Sequence, residues 1–316
     1  MTLRRGAVAT PDGDLWQFDW LATAHDPLAP LVVMFHGLEG GSGSHYAREL
    51  FACLGRRRWQ GVVPHFRGCP GIPNRLPRAY HSGDHEEIGA MLDAIRARVG
   101  AQVPIAAVGV SLGGSALLNW LGRAGAAGGA QLRCAATVSA PLDLMAAGRA
   151  IDRGFNRLYA AHFLTTMKPK ALAMATRHPG LVDADAVRRA RSMWAFDDLV
   201  TARLHGFQGT HDYWTRASCR PWLASIGVPT LILNARNDPF VPGRSLPGVH
   251  EVSSSVTLEQ PSEGGHVGFL TGAPPGRLDW LALRLLAFVD DQLSTAAAGT
   301  RPAGIMSAPP VSEASR

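Results

Sequence analysis

Short apolar runs alternating with longer helical patterns predict an α/β fold, a mostly parallel central sheet flanked by helices. Three observations carry this. Leu31 to Phe35 is an unbroken apolar run of the kind found in strands buried on both faces. Ile88, Leu92, Ile95 and Val99 recur at spacings of 4, 3 and 4, which is one face of a helix. The strand-like stretch Ile105 to Val110 runs directly into a helical pattern that opens at Ser111.

The elements follow in order. Met1 to Trp16 carries two arginines with no apolar stretch behind them, so no signal peptide is expected. After the strand at Leu31 to Phe35, Tyr46 to Arg58 is long enough for a crossover helix, and Gly61 to Phe66 reads as the next strand. The helix Asp84 to Val99 has Glu86 and Glu87 near its start and Arg96 and Arg98 near its end, the polarity that a helix dipole favours. A strand at Ile105 to Val110, a helix from Ser111 to about Arg123, a Gly/Ala loop over Gly122 to Ala130 and a strand at Leu132 to Val138 come next. From Pro141 to about Arg220 strands give way to helical patterns, Met145 to Leu164 and Asp183 to Phe196, punctuated by Pro169 and Pro179. Two more strands, Thr230 to Ala235 and Ser255 to Glu259, precede a last helix at Leu278 to Leu293. Residues 1–293 therefore read as one domain with an insertion at about 141–220. Beyond Ser294 the chain is Ala, Gly, Pro and Ser without periodicity, which predicts a disordered tail over 294–316.

Composition narrows the class. Apolar residues are 46% of the 316 and charged residues 18%, enough to bury a large core and to exclude disorder along the whole chain. The net charge is +6, and Lys168 and Lys170 are the only lysines among 31 basic residues. The tightest basic run is Arg56-Arg57-Arg58, without the interleaved aromatics of a nucleic-acid surface, so no nucleic-acid partner is expected. The four cysteines, Cys53, Cys69, Cys134 and Cys219, form no C-x-x-C pair and read as reduced thiols of a cytoplasmic protein. No apolar run is long enough to span a bilayer.

The chemistry concentrates at Gly109-Val110-Ser111-Leu112-Gly113, a G-x-S-x-G between a strand and a helix. So sharp a turn needs small residues two positions either side of the serine, and it lifts the hydroxyl to the N-terminus of a helix. A serine hydroxyl needs a base, and the base needs an orienting acid, in the order Ser, Asp/Glu, His on loops after later strands. Asp238 follows the strand Thr230 to Ala235, and His266 lies among glycines after the last strand. Ser111, Asp238 and His266 are thus the expected nucleophile, acid and base. Two backbone donors are expected for an oxyanion: the N–H of Leu112, and the N–H of Leu38 in the loop His36-Gly37-Leu38-Glu39-Gly40.

The chain resembles the YheT-like esterase family of the α/β-hydrolase superfamily. The resemblance rests on the His36 to Gly40 segment with Ser44 and Tyr46, Phe66 to Cys69, Arg78 to Gly83, Gly109 to Gly114, Pro141 to Leu144, Asn237 to Phe240 and Gly264 to Phe269. It implies an α/β-hydrolase fold with a helical cap inserted after the sixth strand. It also implies a serine carboxylic-ester hydrolase with the triad assigned above; the expected reaction runs through an acyl-enzyme, with short- to medium-chain acyl esters or acylglycerols as the expected substrates. Two positions depart from the family's usual pattern, Ser115 where Asn is common and Asn237 where Asp is common.

Competing readings are specific. Asp143 is a rival for the acid, or else the N-cap of the helix after it. His81 and His85 flank Asp84, but H-E-x-x-H is absent and His81 precedes the helix, so no metal is expected. No nucleotide-binding glycine motif is present, so no cofactor is expected. His36 reads as shaping the oxyanion loop. The insertion has 11 basic and 7 acidic residues between Asp143 and Arg216, a charge compatible with anionic substrates or transient contact with a lipid surface. An alcohol acyltransferase using the same triad, or a ligand-binding protein without catalysis, are the alternative functions.

Overall fold

The computed structural model describes residues 2–22, 26–69, 71–272 and 276–299. Among them, eight strands form one sheet: β1 (Leu3–Ala9), β2 (Leu15–Leu21), β3 (Leu31–Phe35), β4 (Gln60–His65), β5 (Ile105–Val110), β6 (Cys134–Val138), β7 (Thr230–Leu233) and β8 (Val256–Glu259). The spatial order is β1-β2-β4-β3-β5-β6-β7-β8. β1 and β2 form an antiparallel hairpin, β2 pairs antiparallel with β4, and all later pairings are parallel.

Period-2 alternation along β3 divides the core. Leu31, Val33 and Phe35 join Ile88, Leu92 and Leu118 on one face, whereas Val32 and Met34 join Leu50, Leu54 and Leu285 on the other. The first face is covered by α2 (His85–Val99) and α3 (Leu112–Ala124), the second by α1 (His45–Arg57) and the C-terminal helix (Asp279–Gly299). The parallel register aligns the strand ends that matter: Phe35 with Gly109, Val110 with Val138, Val138 with Leu233, and Leu233 with Glu259. The loops after β3, β5, β7 and β8 therefore emerge at one end of the sheet.

Between β6 and β7 the chain is helical: α4 (Leu144–Ile151), α5 (Arg157–Arg177), α6 (Ala184–Arg189), α7 (Met193–Phe196), α8 (Ala202–Leu204) and α9 (Thr210–Ala217). These helices enclose their own apolar core around Leu164, Val187, Tyr213 and Trp214, forming the cap.

Five points of the sequence reading need correction. The hairpin β1–β2 is absent from the sequence reading; it turns at Thr10 to Asp14, where Thr10 N–H donates to Asp14 O at 3.0 Å and Gly13 takes φ 88°. Met145 to Leu164 is two helices, broken where Gly154 takes φ 53°. Asp183 to Phe196 is also two, because Ser192 starts a new helix by accepting the Ala195 N–H. Conversely, α5 runs through Pro169. Pro169 and Thr165 are both exposed, so the carbonyl deprived of its donor faces water. The final helix, α10, continues to Gly299, so residues 294–299 are helical and the remainder of the expected tail lies outside the described residues. Among the described residues no helix is long and apolar enough to cross a membrane.

Candidate active site

Ser111 sits between β5 and α3 with φ 52° and ψ −121°, a left-handed conformation rare for a residue with a side chain. The turn is so tight that a Cβ on Gly113 would lie 2.5 Å from the carbonyl oxygens of both Phe35 and His36. A Cβ on Gly109 would lie 2.6 Å from Gly114 Cα. Ser111 N–H donates to Val138 O at 2.8 Å, anchoring the turn to β6.

His266 and Asp238 reach this serine from the loops after β8 and β7. His266 Nε2 lies 3.0 Å from Ser111 Oγ, and His266 Nδ1 lies 2.8 Å from Asp238 Oδ2. As a carboxylate Asp238 only accepts, so Nδ1 carries the proton and Nε2 is left to accept from the serine hydroxyl. Asp238 is buried, and its other oxygen accepts the N–H groups of Phe240 at 2.8 Å and Val241 at 3.1 Å. Asp143, the rival, is the N-cap of α4, with Oδ1 accepting the Ala146 N–H at 2.9 Å.

Two residues that sequence reasoning passed over hold the histidine loop. Asn237 Oδ1 accepts the Gly265 N–H at 2.9 Å, joining the acid loop to the base loop. Ser139 Oγ accepts the Val267 N–H at 3.1 Å, and both Ser139 and Val267 have positive φ, 50° and 64°. Asn237 was visible only as a departure from the family pattern; Ser139 carried no local signal.

The loop after β3 faces the serine. Gly37 N–H donates to Tyr46 Oη at 3.0 Å, Glu39 N–H to Tyr80 Oη at 2.8 Å, Gly40 N–H to Gly37 O at 2.9 Å and Gly41 N–H to Ser44 Oγ at 3.2 Å. Within 37–41 this leaves Leu38 N–H without an acceptor among the described residues. Leu38 and Leu112 both line the cavity that holds Ser111 and His266. His36 is fully buried beneath the loop, and burial pushes its pKa down to about 3. Its Nε2 accepts the Phe66 N–H at 3.2 Å, so the neutral ring donates from Nδ1 to Gly37 O at 2.8 Å. Glu39, held at φ 56°, accepts Tyr80 Oη at 2.8 Å and Lys170 Nζ of α5 at 2.7 Å and 2.8 Å. The cap thereby grips the residue next to Leu38.

The cavity over Ser111 has a volume of about 130 Å³ and a mainly apolar wall that includes Leu144, Ile151, Phe163 and Trp214. Among the described residues, one carboxyl of the cap lines it. Burial pushes the Asp197 carboxyl up to about 6, against hydrogen bonds from Thr201 Oγ1 at 2.7 Å and Trp214 Nε1 at 2.8 Å. His81 and His85 do not share a face: His81 packs at a tilt against His205, with ring centroids 4.4 Å apart, and His85 Nδ1 turns to Gly83 O at 3.1 Å. Among the described residues no group of three or more His, Cys, Asp or Glu side chains is arranged to hold a metal ion.

A mostly parallel sheet with a serine turn after β5 and an acid and a histidine after β7 and β8 defines a class. The chain belongs to the α/β-hydrolase fold family, whose model matches residues 30–273, in its YheT-like branch. It is 38% identical over 281 residues to the Escherichia coli K12 protein named "Putative esterase YheT", covering 87% of this chain and 81% of that one. It is 31% identical to the human protein named phospholipase ABHD3, covering 86% of this chain and 68% of that one. Among solved structures, the Pyrococcus furiosus esterase Pf2001 superimposes with a TM-score of 0.57 over 93% of this chain and 92% of that one. At 15% identity that likeness concerns the fold alone.

Proposed function

We propose that the protein is a serine carboxylic-ester hydrolase with Ser111, His266 and Asp238 as its triad. The observation that carries this is the continuous hydrogen-bond chain from Asp238 through His266 to Ser111 Oγ, at 2.8 Å and 3.0 Å. Ser111 Oγ adds to the ester carbonyl as its proton passes to His266 Nε2. Asp238 stabilises the imidazolium, and the Leu38 and Leu112 N–H groups receive the developing oxyanion. The carbon–oxygen bond to the alcohol then breaks, His266 returns the proton to the departing alcohol, and an acyl-serine remains. Water attacks it by the same route and releases the carboxylic acid. Short- to medium-chain acyl esters or acylglycerols are the substrates this reading favours. The apolar wall over Ser111 and the names borne by the relatives support it.

The test is fluorophosphonate labelling read by intact mass, with turnover of p-nitrophenyl esters from acetate to palmitate. The wild type should gain one adduct and turn over esters. Ser111→Ala should gain none and lose about 10⁴-fold or more in kcat. A wild type that neither labels nor turns over any ester overturns the proposal.

A further inference from the structure

A second cavity, of about 280 Å³, adjoins the one over Ser111. It lies between α5 and the helical turn at Asp197–Thr201 on one side and the segment following β4 on the other, walled by Pro73, Ala79, Met174, Phe196, Val200 and Leu204. Leu38, Tyr80, Met167 and Thr201 face both cavities. The charged groups at its margin are already engaged. Lys170 is on Glu39, Arg67 is on Glu87 at 2.8 Å and Asp12 at 3.0 Å, and Arg177 donates to backbone carbonyls of Asn74 and Ala173. An anion would therefore have to displace existing partners, whereas an apolar chain would meet an apolar wall. An aliphatic chain laid against this wall would bury apolar surface, which favours its uptake.

The chemistry of the site gives the two cavities different occupants. His266 must reach the oxygen of the departing alcohol, and it lines the first cavity but not the second. The alcohol portion thus belongs beside His266, and the acyl chain leaves the carbonyl on the other side, past Leu38. Met167, unbranched and adaptable, stands at that passage. We infer that the second cavity is the acyl-chain site, receiving an unbranched aliphatic chain, while the cavity over Ser111 holds the alcohol portion. The inference rests on the esterase reading.

Each buried methylene is worth about fourfold in binding, so a chain that fills the cavity should give a steep acyl-length preference. The experiment measures kcat/KM for p-nitrophenyl acetate, butyrate and octanoate, and for methyl, butyl and octyl acetates. The proteins are the wild type, Met174→Trp on α5 and, on the opposite wall, Ala79→Phe, with thermal melts of each. Filling the cavity should cut the octanoate-to-acetate ratio at least tenfold and leave the ratio along the alcohol series within about twofold. An unchanged acyl ratio, or a loss along the alcohol series instead, overturns the assignment. A wild type inactive on every ester sinks the esterase reading itself. Should both variants fail to fold, the crystal structure of the wild type inactivated with octylphosphonofluoridate decides: the octyl chain lies in the second cavity, or, if it lies in the first, the assignment is wrong.

Discussion

Ser111 holds a backbone conformation that costs roughly 1–3 kcal/mol for a residue with a side chain, and the surrounding contacts must impose it. Gly113 is what lets them. Gly113→Ala should destabilise the protein by roughly 1–3 kcal/mol and lower ester turnover, because its Cβ meets two backbone oxygens of the β3 end rather than a yielding side chain. Urea unfolding and p-nitrophenyl butyrate kinetics measure both. Asn237 gives a finer test. Losing its bond to Gly265 N–H should cost about 0.5–1.5 kcal/mol of histidine-loop positioning, a fall in kcat of about two- to twelvefold for Asn237→Ala. Asn237→Asp keeps the acceptor oxygen and should restore most of that loss. Equal losses in both variants would mean that the hydrogen bond is not what matters there. At this scale the sequence points to side chains whose order chemistry dictates, and the structure places Ser111, His266 and Asp238 in one hydrogen-bonded row. The sequence is silent where a side chain works by meeting a distant backbone amide, as Ser139 does with Val267 across 128 positions.

At the scale of elements, α5 matters beyond its packing. Lys170 reaches down from it to Glu39, whose amide neighbours Leu38, so an ion pair ties the cap to the loop after β3. Lys170 is 40% exposed and Glu39 10%, which places the pair nearer a surface bridge than a buried one. A double-mutant cycle with Lys170→Met and Glu39→Gln should give a coupling of about 1 kcal/mol or less in kcat/KM. Zero coupling would mean that cap and loop act independently. The parallel strands were legible because burial on both faces makes each a continuous apolar run bounded by polar residues. The hairpin β1–β2 was not, since β1 is an edge strand whose residues alternate weakly between exposed and half-buried. Helix breaks inside the cap were hidden for a different reason. Gly154 and Ser192 end and start helices through positive φ and a capping bond, while the apolar spacing runs on across them. Pro169 misleads the other way, because an exposed carbonyl tolerates losing its partner.

For the molecule as a whole, Asp197 links stability to pH. Its carboxyl titrates near 6 when folded and near 3.8 in the unfolded chain, so above pH 6 the folded state carries the penalty of a buried charge. That penalty is at most about 3 kcal/mol, is relieved as pH falls through 6, and stops changing below 3.8. Asp197→Asn removes it. The stability advantage of the variant over the wild type should therefore be largest at pH 7 and shrink toward pH 4, as read by denaturant melts across that range. A difference independent of pH would place the ionisation elsewhere.

The three side chains at the sheet's end also have an order in time. Ser111 is complete after about a third of the chain has been made, but its hydrogen-bond partner His266 comes 155 residues later, beyond β8. Chains are synthesised from the N-terminus and fold as they emerge. A growing or truncated chain that has passed β6 but not β8 displays the serine without its histidine. On the proposed triad such a chain has a serine that nothing activates, and ester hydrolysis is expected only once the strand β8 and the loop after it have been made.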